Sequence, residues 1–214
     1  MYRPAAFAVD DPARLGALIK AHPLACLVAH GPKGLVAAHV PLLAVTDPDG
    51  RIVELIGHMA RANPFWVEAG EGAEVLAVFT GPDAYVSPSM YPSKAQHCRV
   101  VPTWNYQRIE ARGRLLLITE PSETRPYFEA PTDVMEAVRE SAWSVDDAPE
   151  AYIRQLTLGV VGLRIALSGI EGVFKLSQNK SEADRAGVET GLAAEDASAA
   201  RAVSKLMADT RGAA

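Results

Sequence analysis

A succession of short apolar runs separated by turn signals constrains the fold of this chain more than any other feature. Glycine, proline and aspartate cluster between the runs, where they favour tight turns between neighbouring strands. The predicted strands are LACLVAHG (24–31), LVAAHVPLLAVT (35–46), RIVELIGHMA (51–60), AEVLAVFTG (73–81) and DAYVSP (83–88). Strands at such short intervals predict an antiparallel barrel or sandwich.

The rest of the chain mixes helices with two longer strands. Strands are predicted over 103–119, with a bend at Gly113, and over 161–177, with a bend at 169–172. The helices are predicted near the N-terminus in DDPARLGALIKAHP, in PSETRPYFEAPTDVMEAVRE, in DDAPEAYIRQLTLGVV and in an Ala-rich C-terminal segment that starts at Ser181. No low-complexity linker divides the chain, so we expect one domain over 1–214 with a helical C-terminal appendage at about 181–210.

The net charge, the cysteine count and the length of the apolar runs each argue against a class of protein. The net charge of −5 argues against a large nonspecific nucleic-acid surface, although a local basic patch remains compatible with it. Two cysteines, Cys26 and Cys98, do not indicate a disulfide framework. No apolar run is long enough for a signal core or a bilayer span, so a cytoplasmic protein without membrane contact is expected.

The segment GHMARANPFWVEAG (57–70) carries the sharpest local signal. Asn63 has the chemistry of a helix cap, and Pro64 suits the first helical position. Arg61, two residues earlier, would add a cation to the free N–H groups of that helix, which together suit a phosphate or carboxylate. The alternative is that Arg61 is a solvated surface charge and Asn63 only a cap.

Two histidines lie on neighbouring predicted strands. His39 interrupts an apolar run, and a buried histidine there would need a partner. His58 lies on the next strand, so the two rings could approach each other. Because no third ligand is placed by spacing, a histidine at the edge of the core or of a cofactor is favoured over a metal site, and no metal is predicted.

The segment 81–106 is rich in proline and aromatic residues and has a single acid, Asp83. Its prolines predict a stiff loop before Thr103. Trp104, Asn105 and Tyr106 then place two rings beside an amide, which suits a planar heterocycle. The alternative is ordinary strand alternation, with one ring in the core and its neighbour in solvent.

A polar cluster lies where the last predicted strand meets the C-terminal helix. Lys175, Ser177, Gln178, Asn179 and Lys180 could form a second site for an anion or polar ligand, or an ordinary strand-to-helix connection. There is no GxGxxG motif, no Gly-x-Ser-x-Gly motif and no spacing that pairs carboxylates. The sequence therefore predicts a binding site more readily than a nucleophile, and the catalytic residues are unknown.

Six motifs in order resemble the FMN-binding negative transcriptional regulator family, the PaiB-type proteins. These motifs are MYRPAAF, AAHVPL, GHMARANPFW, FTGPDAYVSPSMYPSK, VPTWNY and KLSQNK, and they span nearly the whole chain. Met90 departs from the family pattern, which usually has tryptophan at that position.

The resemblance implies a mainly β protein: an antiparallel split β-barrel of the pyridoxamine-phosphate-oxidase-like type, with flanking helices and a helical C-terminus. It also implies a homodimer with FMN at the subunit interface. DNA is a partner that the resemblance suggests but that neither the charge nor a reading-helix motif supports.

The resemblance also implies roles for particular residues. Arg61 and Asn63 would bind the FMN phosphate, while His39 and Val40 would line the isoalloxazine with His58 nearby. The remaining implied contacts are a wall formed by Thr103, Trp104 and Asn105 and a polar side formed by Gln178 and Asn179, from the same or the other subunit.

Three functional classes stay open at this point. The protein could be a flavin-binding regulator or sensor, a flavin-dependent oxidoreductase acting on a small substrate, or a structural dimer with a vestigial pocket. Because the same fold hosts both the sensor and the oxidoreductase, the fold does not decide between these two.

Overall fold

The computed structural model describes residues 1–210 of the 214-residue chain. Within them, seven strands form one sheet in the order β1-β7-β4-β3-β2-β5-β6. The strands are β1 (Ala8–Val9), β2 (Leu24–Gly31), β3 (Gly34–Thr46), β4 (Ile52–Ala60), β5 (Glu74–Val86), β6 (Thr103–Ile118) and β7 (Val160–Lys175). Because β6 also pairs with β7, the six longer strands close into a barrel. The fold is therefore mainly antiparallel β, as predicted.

Seven α-helices accompany the strands in the described chain. They are α1 (Pro12–Ala21), α2 (Phe65–Ala69), α3 (Lys94–His97), α4 (Arg125–Glu136), α5 (Glu150–Thr157), α6 (Glu182–Ala193) and α7 (Ser198–Asp209). None of these helices combines the length and the apolar character needed to cross a membrane.

Capping residues explain where two of the helices begin. The side chain of Asp11 accepts a hydrogen bond from the N–H of Ala13 and Pro12 follows it, so α1 has a cap and a preset first turn. The hydroxyl of Ser181 accepts a hydrogen bond from the N–H of Asp184 at 3.2 Å, which confirms the predicted start of the C-terminal helical region. That region is divided into α6 and α7.

One predicted strand boundary is wrong. The runs 73–81 and 83–88, predicted as two strands, form the single strand β5. Gly81 is buried and Pro82 half-buried within it, and burial alternates along most of the strand. Proline is compatible with a strand where its missing N–H is not needed for pairing, so the Gly-Pro pair does not end this one.

Contacts divide the chain into two compact units. The larger unit comprises Asp10–Phe79 and Glu110–Ile170, and it contains the registers that join β2 to β3, β3 to β4 and β4 to β7. Its core is formed by fully buried side chains that alternate along the strands, among them Leu27, Leu55, Leu115, Leu163 and Ile165. Each contributes about 2 kcal/mol by burial.

The smaller unit comprises Met1–Val9, Thr80–Ile109 and the chain from Glu171 onward. Val188, Leu192, Val203 and Met207 of α6 and α7 are completely buried in its core. Met90 packs against α6, where a Cβ on Gly191 would lie 2.7 Å from its Cγ atom. A larger residue at Gly191 would therefore displace Met90.

Candidate functional site

The strand β3 presents two of the predicted ligand contacts in different ways. His39 is exposed on the outer face of the larger unit, whereas the side chain of Val40 is 1% exposed and lies in the core. Alternation along a strand produces this difference. Only the peptide groups of Val40 are therefore available to a ligand.

The strands β3 and β4 separate beside these residues. β3 pairs with β2 from Gly34 to Pro41, but its register with β4 covers only Leu42–Thr46. At the point of separation, a Cβ on Gly57 would lie 2.4 Å from the carbonyl oxygen of Pro41, so only glycine fits there. One edge of β3 thus has no registered strand partner over 34–41 in the described chain, and alternate peptide groups point towards that side.

His58 lies on the same face of the sheet as His39, but the two are not a registered pair. Leu43 lies opposite Ile56, and the histidines follow from these positions by even steps along each strand. The Nδ1 atom of His58 is instead 3.3 Å from the carbonyl oxygen of Tyr127 in α4. Burial lowers the pKa of His58 below its ordinary value, and the contact with Tyr127 opposes that shift.

Arg61 is tied to the backbone of the larger unit. Its Nε atom donates to the carbonyl of Leu158 at 2.9 Å, and its Nη2 atom donates to those of Thr119 at 2.6 Å and Val160 at 2.9 Å. Three carbonyls from segments distant in sequence therefore surround its guanidinium. The interpretation of Arg61 as a solvated surface charge is wrong for this reason. Within the described residues, only its Nη1 group is left without a hydrogen bond.

Asn63 begins the turn into α2. Its Oδ1 atom accepts a hydrogen bond from the N–H of Phe65 at 3.0 Å, and the helix starts at Phe65, one residue later than predicted. Because α2 has only five residues, its end adds little to the binding of an anion. The indole of Trp66 donates to the carbonyl of Arg61 at 2.9 Å and fixes the turn.

In the smaller unit, Thr103 and Trp104 share one lysine. The Nζ atom of Lys175 donates to the hydroxyl of Thr103 and, at 2.7 Å, to the carbonyl of Trp104. Trp104 is 52% exposed as a residue, and its ring meets Tyr85 edge-on, with ring centroids 5.9 Å apart. A flat aromatic surface is thus open at the start of β6.

Asn105 faces the interior of the smaller unit. It is 0% exposed, and its amide donates to the hydroxyl of Ser177 at 3.0 Å and accepts from it at 3.2 Å. This corrects the picture in which its amide meets the edge of a ligand ring, because the amide is already paired. Ser177 adopts a left-handed backbone with φ of 62°, so this pair holds an unfavourable turn in place.

Gln178 and Asn179 follow in the same loop. Gln178 accepts a hydrogen bond from the N–H of Leu176 at 2.6 Å and donates to the carbonyl of Phe174, so its amide closes the loop on itself. Asn179 is exposed. Of these two amides, Asn179 is the one open to a ligand.

Tyr91 is a residue that the sequence interpretation missed. It is 2% exposed, its hydroxyl has no hydrogen-bond partner among the described residues, and the Nζ atom of Lys180 lies 5.1 Å from its ring centroid. Its place between two prolines, in a segment already marked by aromatic residues, was the available signal. The described residues contain no group of three His, Cys, Asp or Glu side chains that could hold a metal.

The chain is similar to proteins from bacteria and fungi over most of its length. It is 28% identical to protease synthase and sporulation protein PAI 2 of Bacillus subtilis, over 98% of this chain and 97% of that protein. It is 30% identical to the uncharacterized protein AN0679 of Emericella nidulans, over 90% of each chain.

Solved structures share the fold at low sequence identity. The FAD and heme binding protein from Mycobacterium smegmatis has a TM-score of 0.57 at 18% identity, over 84% of this chain and 78% of that one. The flavocytochrome Anf3 from Azotobacter vinelandii has a TM-score of 0.55 at 13% identity, over 84% and 75% of the two chains. These likenesses agree with the split-barrel architecture.

A family model identifies the chain directly. Residues 1–168, which include β1 to β6 and the first part of β7, match the family described as "Putative FMN-binding domain". With the closed antiparallel barrel, this match confirms the predicted family and its flavin cofactor. The chain belongs to this family of FMN-binding split-barrel domains.

Proposed function

We propose that this protein is a homodimeric FMN-binding regulator or sensor. The observation that carries the proposal is the end-to-end similarity to PAI 2 of Bacillus subtilis, whose name describes a role in protease synthesis and sporulation. A flavin supplies reversible redox chemistry when bound, and a protein can use it either for turnover or for sensing.

The donor set beside the free edge of β3 fits FMN. Alternate peptide groups over 34–41 offer donors and acceptors to a flat ring, and His39 is exposed on the same strand. In the same unit, the Nη1 group of Arg61 offers two further N–H donors, which suit a phosphate. We assign the isoalloxazine to His39 and the peptides of Val40, with His58 behind them, and the phosphate to Arg61 and Asn63.

Three residues of the smaller unit remain part of the proposal. Trp104 offers an exposed ring, Thr103 a half-buried hydroxyl and Asn179 an exposed amide. Asn105 and Gln178 would act by holding their segments in place, because their amides are engaged in internal hydrogen bonds.

A second copy of the chain is the proposed partner for the outer face of β2 and β3. Leu24 and Leu35 are exposed there, and the register places Val28 opposite Ala37 on the same face. Exposed apolar side chains grouped on one sheet face, here together with His30 and His39, are typical of an interface. Light scattering should give about twice the chain mass of 22.8 kDa.

A charge within the proposed interface tests this assignment. Leu35→Glu places a carboxylate on a residue that is 76% exposed, so it should split the dimer without unfolding the chain. Val138→Glu, at a similarly exposed residue in another region, is the matched control. A wild-type monomer at tens of micromolar, or an intact Leu35→Glu dimer, would contradict this interface.

Measuring the oxidation of NADH or NADPH distinguishes a regulatory role from an enzymatic one. We expect FMN to bind stoichiometrically, with its fluorescence quenched, and the complex to oxidise NADH or NADPH no faster than free FMN does. Faster oxidation would support the oxidoreductase alternative instead, and no FMN binding by folded protein would overturn the whole proposal.

Direct recognition of DNA is not part of the proposed function. With a net charge of −5, this chain alone should not reach the roughly 10⁻⁸ to 10⁻¹¹ M of specific DNA complexes. A gel shift in that range that resists competitor DNA would assign the regulation to the chain itself.

A further inference from the structure

Residues 119–159 form a helical excursion between β6 and β7 that contains α4 and α5. This segment carries nine Asp and Glu residues against three Arg, and it has no Lys or His. Its net charge is therefore −6, whereas the whole chain has a net charge of −5. The negative charge of the protein is thus concentrated in one segment of the larger unit.

The three arginines of the helical excursion do not balance its acids. Arg125 pairs with three carboxylates, one each from α4, the turn at 145–147 and α5. Arg139 and Arg154 each have an acidic neighbour within the same segment. Four further acids are exposed and form no ion pair within residues 1–210: Glu120, Glu123, Asp133 and Glu140. A cationic partner would therefore meet these carboxylates without breaking an existing pair.

Both helices of the excursion also leave apolar surface uncovered. Ile153 and Thr157 of α5 are buried, but Tyr152 and Leu156 are 56% and 47% exposed. These two lie one helical turn apart, where a surface helix ordinarily carries polar residues. In α4 no residue is buried, although four of its side chains are aromatic or aliphatic: Tyr127, Phe128, Val134 and Met135.

A groove of about 680 Å³ lies between the start of α4 and α5. Pro121, Ile153 and Leu158 contribute apolar surface to its lining, and the exposed acids Glu120 and Glu150 line it as well. This volume is in the range of sites that enclose a ligand or a group of side chains. Apolar surface beside carboxylates suits an apolar side chain that is flanked by cations.

We propose that the helical excursion binds a basic amphipathic segment of a partner protein. The apolar residues of that segment contact Tyr152 and Leu156 and enter the groove, and its Lys or Arg side chains meet the unpaired acids. Charge complementarity favours this occupant, because two copies of the excursion face to face, or an anionic membrane, would bring like charges together. The proposal adds a protein partner to the function proposed above and does not rest on flavin binding.

Fluorescence anisotropy with labelled peptides tests the surface. The probe is a peptide of about 14 residues with Leu and Lys at helical spacing. One control peptide has Glu in place of Lys, and the other has Ser in place of Leu. The wild-type protein should bind the Leu-Lys peptide at least tenfold more tightly than either control, and the affinity should fall as salt is added. Equal affinity for the Ser-Lys peptide, or no binding of the Leu-Lys peptide at hundreds of micromolar, would overturn the proposal.

Substitutions locate the binding of the Leu-Lys peptide. Leu156→Ser and Tyr152→Ser should each weaken it about tenfold, whereas Val67→Ser, at a 63% exposed residue of α2, should leave it unchanged. Urea unfolding checks that all three variants remain folded. If the α5 variants bind as tightly as Val67→Ser, the peptide does not use this surface and the proposal is wrong.

The acids are tested in the same way. Replacing both Glu120 and Glu123 by Gln should weaken the peptide about threefold, as expected for two exposed charge contacts. Replacing Glu74 and Glu195 by Gln removes the same charge from exposed positions outside the excursion and should change the affinity less. Equal effects of the two double variants would show that the net charge, and not this surface, attracts the peptide.

Two measurements distinguish other occupants. If Leu156→Ser converts a wild-type dimer into a monomer in light scattering, this surface is an interface between copies of the chain. If the wild type, but not Leu156→Ser, cosediments with phosphatidylcholine vesicles, the surface binds lipid. Either result would overturn the proposal. Failure of the wild type to bind FMN would contradict the proposed function alone, because the peptide titrations need no flavin.

Discussion

Arg61 in the larger unit and Lys180 in the smaller unit are both cations beside the start of a helix, but the structure uses them differently. Arg61 is held by three backbone carbonyls from Thr119, Leu158 and Val160. Within residues 1–210, the N–H of Lys180 donates to the carbonyl of Ser177 and its ammonium lies over the ring of Tyr91. Hydrogen bonds from Ser93 lower the pKa of Asp184, and the charge of Lys180 also helps to lower it. A cationic residue that precedes a helix can therefore either stabilise the fold or remain available to bind a ligand, and its sequence position does not distinguish the two roles.

Replacing Arg61 should have the largest effect on stability. Arg61→Ala removes three charge-assisted hydrogen bonds, and we expect the free energy of unfolding to fall by about 3 kcal/mol after allowance for partial exposure. FMN binding should weaken more than riboflavin binding, because Nη1 is assigned to the phosphate. Urea unfolding and the two flavin titrations measure these effects.

Arg154→Ala is the matched control for Arg61→Ala. Arg154 belongs to α5 in the same unit, its side chain is largely exposed, and its distance to Glu150 is 3.9 Å. Its removal should change stability little. If Arg61→Ala is as stable as this control, the comparison with Lys180 fails. If the two flavins lose affinity equally, Arg61 supports the pocket and does not bind the phosphate.

Asn105 should rank second, because it fixes the loop that carries Lys180. Asn105→Ala leaves the buried hydroxyl of Ser177 without its partner, and the free energy of unfolding should fall by about 2 kcal/mol. Asn179→Ala, in the exposed part of the loop, is the control and should be nearly neutral. Chemical denaturation of both variants checks the difference, and equal stabilities would contradict the structural role of Asn105.

His58 should make the stability of the protein depend on pH. Its pKa is lowered in the folded state, so the unfolded chain binds the proton more readily. The contribution of neutral His58 to the free energy of unfolding is complete above its ordinary pKa of about 6.5. It is lost as the pH falls through the lower pKa of the folded state. His58→Gln should flatten this part of the profile when both proteins are unfolded in urea at several pH values. Parallel profiles would show that His58 does not titrate in this way.

Lys180 should have the smallest effect on stability. Lys180→Gln removes no ion pair of the described chain and loses only the contact of its ammonium with the ring of Tyr91, so the free energy of unfolding should fall by no more than about 1 kcal/mol. For Arg61→Ala, in contrast, we expect a large fall in the free energy of unfolding. Thermal unfolding measures both changes, and a loss comparable with that of Arg61→Ala would make Lys180 a structural cation as well.

The sequence predicted the strands well because their signals are local. Alternating burial in β2 and the turns at 31–34 and 47–50 follow from neighbouring residues, as do the caps at Asp11 and Ser181. The junction within β5 was misread for the same reason, since a Gly-Pro pair favours a turn unless the sheet accommodates it.

The partners of the site residues were not predictable, because they lie far away in the sequence. Arg61 meets Thr119 and Val160, which are 58 and 99 positions distant, and Asn105 meets Ser177, which is 72 positions distant. No local pattern encodes such pairs. The sequence therefore identified polar groups for a site but not which of them the fold already uses.

The separation of β3 from β4 has a consequence for the motion of a single strand. From Gly34 to Pro41, alternate amides are bonded to β2 and the others point to the edge without a registered partner. Deuterium should therefore enter this strand in a pattern of period two, fast at one residue and slow at the next. A ligand bound at this edge would slow exchange only at the amides that point to the edge. The other amides, bonded to β2, would continue to exchange at the rate set by the stability of the sheet.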